Sequence, residues 1–449
     1  MIGKPMTSGS PWVHILKFSF PVLAGSLLQQ LYQTADTIIV GNFTGERALA
    51  AVGTTNTLNF LLLAIAIGFS AGNGVVSAHH FGANKLDDVR KDASTGILFL
   101  GILGVIAGII AIALSRTVYK YAVGVPEDIL PETLTYFRLY CLGLIFQYLY
   151  NALAAILRSV GDSASTLYFL LIASILNILL DLLFVGAFDM GVAGAAWATN
   201  IAQAVSVLAA WSYMHRKYPV FRFKPRELVW EKSAAQDTFK IGFPIALQLV
   251  FVALGLTFIQ RAVNGFGQAM TAAFAVSQRI EMYLHLPCNS LQTTLATFTG
   301  QNAGAQRMDR VKQGVLHGVA ISAVFTLILS VMVWVSNEKL PGFFALSDTA
   351  ANYCANYLNV ISFAVIVLSL YVPLFGFFQG TKHSLIPTVT ALCALSLRVA
   401  VTYLFKDSIY FGHTIIWWNA IFGFGLGCIL SYIFYAKTLK KLNSSLPRE

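Results

Sequence analysis

The sequence predicts an all-α membrane protein: twelve transmembrane helices in two parallel six-helix repeats, an N-lobe and a C-lobe around a central cavity. Three observations predict it. Of 449 residues, 57% are hydrophobic and only 11% charged, against about 25% charged in a soluble domain. The apolar runs are about 20 residues or longer, which is helix length, whereas barrel strands alternate over about 10 residues. Helices and closed barrels are what satisfy their own backbone in lipid. Finally, the second half of the chain repeats the first.

Apolar runs bounded by Gly, Pro and charges place the spans near 15–39, 50–79, 92–114, 131–157, 163–185, 190–213, 238–263, 270–299, 314–335, 350–379, 385–405 and 413–436. The first run is too long for a cleaved signal and is interrupted by Pro21, Gln29, Gln30 and Gln33, so a retained first span is expected. The most hydrophilic stretch between spans is "HRKYPVFRFKPRELVWEKSAAQ", beginning at His215. It divides the chain into an N-lobe (1–214), a cytoplasmic linker (215–237) and a C-lobe with a short cytoplasmic tail (238–449).

Lys and Arg set the orientation. With the N-terminus, the even-numbered loops and the C-terminus on one side, that side carries about 19 basic residues, from Lys4 to Arg448. The other side carries Arg47, Arg116, Lys120, Lys339 and Lys406. Both termini are therefore expected in the cytoplasm, with the chain in the plasma (inner) membrane. The net charge of +10 is accounted for by these loops, with no nucleic acid partner. The five cysteines fall in apolar segments without metal-type spacing, so neither a disulfide framework nor a zinc site is read.

The repeat has two anchors. "FSFP" at Phe18–Pro21 returns as "IGFP" at Ile241–Pro244, and "GANKLDDVRK" at Gly82 returns as "GAQRMDRVKQ" at Gly304. The offset from Pro21 to Pro244 and the offset from Gly82 to Gly304 agree to within a single position. Six spans per copy is an even number, so both copies enter from one side as parallel repeats.

Well inside the spans the acidic residues are Asp36, Asp181 and Glu281. A carboxylate in hydrocarbon costs roughly 2.5–3.5 kcal/mol on insertion scales and reads as functional by default. Asn177 lies one helical turn before Asp181, on the same face, and Thr199 interrupts the sixth span. Two carboxylates, an amide oxygen and a hydroxyl are hard ligands, suited to a small hard cation or a proton. Two close carboxylates in low dielectric do not both hold their charge easily, which makes proton binding near neutral pH reasonable. Gln29, Tyr32, Gln33 and Asp36 draw a polar stripe down the first span. Pro21 on that span leaves a carbonyl unpaired, so a kink is expected. Tyr140, Gln147 and Asn151 add aromatic and amide surface suited to a cavity for amphipathic, aromatic, cationic compounds. Glu281 differs: Arg279 is near in sequence and Arg261 lies on the preceding span, so an ion pair is weighed beside a secondary functional role. Position 259, the counterpart of Asp36 at the proline offset, is Ile259. Ion coupling is therefore expected in the first half.

These residues resemble the multidrug and toxic compound extrusion (MATE) transporters over nearly the whole chain. The resemblance rests on six plus six spans, Pro21, the Asp of "DTIIVG", the "RSVGD" turn at Arg158–Asp162 and the Asn-x-x-x-Asp of the fifth span. It implies two six-helix lobes, alternating access and export of organic compounds in exchange for Na+ or H+. It also implies an acidic N-lobe site at Asp36, Asn177, Asp181 and Thr199, and bending of the first helix at Pro21. Carboxylates that some members carry on the seventh and tenth spans are absent, and the Thr-Pro pair that often follows the Gly-Asp turn is replaced in "GDSASTLYF".

The expected function is secondary active multidrug efflux: no enzyme, no cofactor beyond the coupling ion, small organic molecules and membrane lipid as partners, and a monomer. The alternatives are a lipid-linked precursor flippase of the same broad superfamily, which would want a more basic cavity than Arg138, Arg261, Arg279 and Arg398 supply, and a membrane prenyltransferase. The latter would use "DDVRKD" at Asp87, but the copied loop keeps only one aspartate.

Overall fold

In a computed structural model describing residues 3–344 and 346–444, the first helix, α1, runs Pro11–Gly82 without a loop. At 1.5 Å per residue its 72 residues would reach about 108 Å if straight, against a hydrocarbon thickness of about 30 Å. Its backbone leaves helical values at Gly45, with φ 82° and ψ −179°, a region open essentially to glycine alone. α1 is thus two spans joined at Gly45, where the sequence predicts a loop between positions 39 and 50. The backbone remains helical through Pro21, so the expected kink there does not take the form of a break.

The chain continues as α2 (Leu86–Thr117), α3 (Leu130–Leu142), α4 (Leu144–Ser159), α5 (Ser163–Asp181), α6 (Gly191–Lys217), α7 (Lys232–Asn264), α8 (Gln268–Gly304), α9 (Met308–Ser336), α10 (Asp348–Gly380), α11 (Leu385–Phe405) and α12 (Ile415–Ser444). α3 and α4 form one span bent by 43° at Gly143. The bend has a local cause: Asn200 of α6 inserts there and donates from Nδ2 to the Leu139 carbonyl at 2.7 Å. A Cβ on Gly143 would fall 1.8 Å from the Asn200 Oδ1. A side chain inserted into the helical ladder is a recognised origin of sharp kinks.

Among the described residues nine helices are long and apolar enough to cross a membrane, and the bent pair makes a tenth. Counting α1 twice and adding α8 gives the twelve expected spans. α8 is less apolar than the others because it carries Gln278, Arg279, Glu281, His285, Asn289 and a run of Ser and Thr.

The chain forms two compact units. The first is built mainly on Phe20–Ala246; the second takes Ser8–Ser19, Leu247–Ala303 and Arg307–Glu449. The first unit has apolar clusters around Tyr148 and Leu144, around Val185 and Val40, and around Leu157 and Phe221. The hydrophilic stretch 215–237 belongs to this unit. Tyr218, Phe221 and Phe223 are buried in its core, and Ser94 Oγ donates to the Val229 carbonyl at 2.9 Å. A single cluster centred on Leu358, Phe377 and Phe378 holds the second unit together. The duplication extends to packing: Asn73 sits against Gly96 in the first copy and Leu295 against Gly318 in the second, at the same offset as the repeated loops. Arg448, counted among the cytoplasmic bases, lies outside the described residues.

Candidate functional site

The polar stripe of α1 meets the end of α5 within the first unit. Asp181 is the last residue of α5, where the helix widens into a π-turn over Leu182–Ala187. Its side chain is fully buried. Asn177, one turn earlier, is also buried and donates from Nδ2 to the Thr199 hydroxyl of α6 at 3.5 Å. Asp36 reaches the same place from α1, and the two carboxyl groups act directly on each other. Among the described residues no basic side chain acts on either.

The pair is short of partners. Asp36 Oδ1, Asn177 Oδ1 and both oxygens of Asp181 are buried without a hydrogen bond. A buried polar group without a partner is costly, and a buried charge more so. Such a gathering of bare acceptor atoms forms a site that favours a proton or a small cation. Beside it is a small open recess lined by Tyr32, Ala173, Ser174, Asn177, Thr199, Ala202 and Gln203.

Asp36, Asn177, Asp181, Thr199 and Tyr32 are therefore brought together. Tyr140, Gln147 and Asn151 form their own chain: the Tyr140 hydroxyl donates to Gln147 Oε1 at 3.0 Å and Asn151 Nδ2 donates to the Gln147 carbonyl at 2.8 Å. Gln33 is exposed and Gln29 half-buried; neither lines the recess. Three contributors were missed from sequence. Tyr136 stacks on Tyr140 at 6.3 Å and lies within electrostatic reach of both carboxylates. Ser174 and Gln203 line the recess. Each stands three or four positions from a recognised residue on the same helix, and that spacing is the signal that finds them.

Glu281 requires a correction. It is buried, but Arg279 is not its partner. Two positions along a helix point to nearly opposite faces, and Arg279 is exposed. The partners of Glu281 are the Tyr357 hydroxyl, donating to Oε2 at 2.7 Å, and His285, whose Nε2 lies 3.4 Å from Oε1. Arg261 is exposed as well.

Comparison with known proteins follows the same division. The MatE family model matches twice, over residues 21–183 and 244–404, so its two matches begin at the two repeated prolines. Probable multidrug resistance protein YpnP of Bacillus subtilis (strain 168) is 28% identical over 429 residues, covering 95% of this chain and 94% of the relative. Multidrug export protein MepA of Staphylococcus saprophyticus is 24% identical, covering 91% of this chain and 89% of its own. The fold matches that of a solved multidrug resistance MATE family transporter of the MOP superfamily, with a TM-score of 0.92 at 21% identity over 98% of both chains. With two family matches spanning most of its length and a matching twelve-helix, two-lobe fold, the chain belongs to the MatE family of membrane transporters.

Proposed function

We propose that this protein is a secondary active multidrug exporter, moving amphipathic cationic organic compounds out of the cell in exchange for Na+ or H+ by alternating access. Multidrug efflux agrees with the names its relatives carry. The observation that carries the coupling is the buried, unpartnered carboxylate pair Asp36 and Asp181 with Asn177 and Thr199 beside it. A proton or Na+ neutralises the pair. Its release leaves two formal negative charges next to the recess, where they attract a cationic aromatic compound against Tyr32. The ion must bind the two transport states with different affinity, since equal binding shifts nothing. Bending of α1 near Pro21 would link the ion to the change of state. The chain acts as a monomer in the plasma (inner) membrane, both termini in the cytoplasm, with no enzymatic step and no cofactor.

The test is transport of a cationic fluorescent dye in proteoliposomes under a Na+ gradient or a pH gradient imposed separately, for wild type and Asp36→Asn. Uphill movement driven by one gradient and lost in Asp36→Asn is the expected result and names the ion. Downhill movement alone, or full coupling in Asp36→Asn, removes Asp36 from the coupling site.

A further inference from the structure

The second unit also buries an ionisable cluster, and the duplication makes it the counterpart of the acidic site in the first. The turns before α5 and α11 fix the register: Gly161-Asp162-Ser163 corresponds to Lys382-His383-Ser384. Gly161 and Lys382 share a left-handed backbone, φ 87° and 63°. On that register Tyr357 is the counterpart of Tyr136, Arg398 of Asn177 and Thr402 of Asp181. The site of two carboxylates and no base in the first unit is thus rebuilt in the second with opposite charge at its centre. Asp36 has given way to Ile259, fully buried in the apolar core.

We propose that Glu281 and His285 form a second proton-binding site, in the second unit, independent of the Asp36–Asp181 pair. Both stand on α8, one turn apart. Every element packed there contributes. From α10 the Tyr357 hydroxyl donates to Glu281 Oε2, and Gln278 of α8 reaches that hydroxyl at 3.5 Å. From α11 Arg398 acts electrostatically on Glu281 without an ion pair among the described residues. Its Nε is held by Asn419 Oδ1 of α12 at 2.9 Å and its guanidinium lies 5.1 Å over the Phe424 ring. The Phe424 ring also packs edge-on against His285. The ionisable groups acting on Glu281 are His285, Arg398 and Tyr357.

The arrangement is charge-balanced while His285 is neutral. Glu281 and Arg398 cancel formally. His285 Nε2 is buried and 3.4 Å from Glu281 Oε1, yet makes no aligned hydrogen bond. Taking up a proton gives the imidazole an N–H on both nitrogens and a positive charge, with Nε2 facing Oε1 at 3.4 Å; losing the proton restores the neutral ring. The His285 side chain is 29% exposed and that of Glu281 4%, so the imidazole is the more accessible member of the pair.

The experiment removes the first-unit site with Asp36→Asn and Asp181→Asn, so it does not rest on the exporter reading. The protein, in lipid nanodiscs, carries a fluorophore on Phe343→Cys in the exposed turn ahead of α10, with the partly exposed Cys393 and Cys428 replaced by Ala. Shifting from about pH 8 to about pH 6 is expected to change the emission still. Adding His285→Gln is expected to reduce that change about tenfold, Glu281→Gln likewise, while His317→Gln leaves it intact. No response without the two aspartates, or a response that survives His285→Gln, overturns the proposal. Should Glu281→Gln fail to fold, His285→Gln decides alone, because it leaves the Tyr357 bond to Glu281 in place.

Discussion

Asn84 and Gln306 occupy the same place in the two copies and share one left-handed backbone, φ 59° and 58°. Each follows a helix end in a conformation that an L-residue adopts at some cost, and each is followed by the same base, apolar, Asp sequence. Two exposed residues of different type in one strained conformation show that the turn was inherited by duplication and its geometry kept.

Glycine at these positions relieves that strain. Gln306→Gly is expected to stabilise the protein by about 0.5–1 kcal/mol and Asn84→Gly by less, because asparagine tolerates the left-handed region better. Thermal unfolding in detergent reads the difference. An equal loss at both sites would show that the side chains, not the backbone, matter there.

Gly45→Ala isolates the opposite case. A Cβ at Gly45 would meet nothing within 4 Å, so sterics with neighbours play no part. Its backbone angles alone make alanine unfavourable, by about 1–3 kcal/mol. A drop in melting temperature with unchanged purification behaviour is the expected outcome; unchanged stability would mean that the bend can be made elsewhere in α1.

Asp162, just ahead of α5, caps that helix at the Ser165 N–H. It also accepts from the Tyr218 hydroxyl at 2.6 Å, the Tyr213 hydroxyl at 2.9 Å and Lys217 Nζ at 3.1 Å. Burial pushes its carboxyl up, but Tyr218, Lys217 and Tyr213 pull it further down, so it sits below its ordinary value. A group depressed on folding contributes fully above its unfolded value of about 3.9 and loses that contribution as pH falls through the folded one. Asp162→Asn should therefore cost about 1.5–3 kcal/mol at neutral pH, with the gap to wild type closing only in acid. Equal destabilisation at all pH values would assign the effect to packing.

Asp181→Asn should raise the melting temperature while lowering dye export more than about tenfold, the equivalent of about 1.4 kcal/mol in the barrier. The gain follows from replacing a buried carboxyl group whose two oxygens lack partners and which faces a second carboxyl group. Loss of both stability and transport would instead make Asp181 a structural acceptor.

The spans were legible because hydrocarbon demands long apolar runs, and the duplication because its loops kept their spelling. Asp36 and Asp181 were legible because a carboxylate among leucines has few innocent explanations. Tyr136 and Gln203 were not, since tyrosine and glutamine on a membrane helix attract no notice until a neighbour is known. The turn at Gly45 was hidden by its own neighbours: positions 40–49 read as a loop, and helical hydrogen bonding runs on either side of one glycine. Arg279 enters as a possible partner of Glu281 through nearness in sequence, but a helix turns positions two apart to different faces.

The polarity of α8 bears on how the protein is made. A segment carrying arginine, glutamate, histidine and a row of hydroxyls does not partition into lipid unaided, yet much of its surface is buried in the finished protein. It must stay at the insertion machinery until later helices arrive to shelter Glu281 and its neighbours. Biogenesis of the second unit is therefore ordered: α8 settles only after α10, which leaves the ribosome two helices later, offers Tyr357. A ribosome-arrested chain ending before α10 would leave α8 accessible to a water-borne thiol reagent, and completion of the chain would close it.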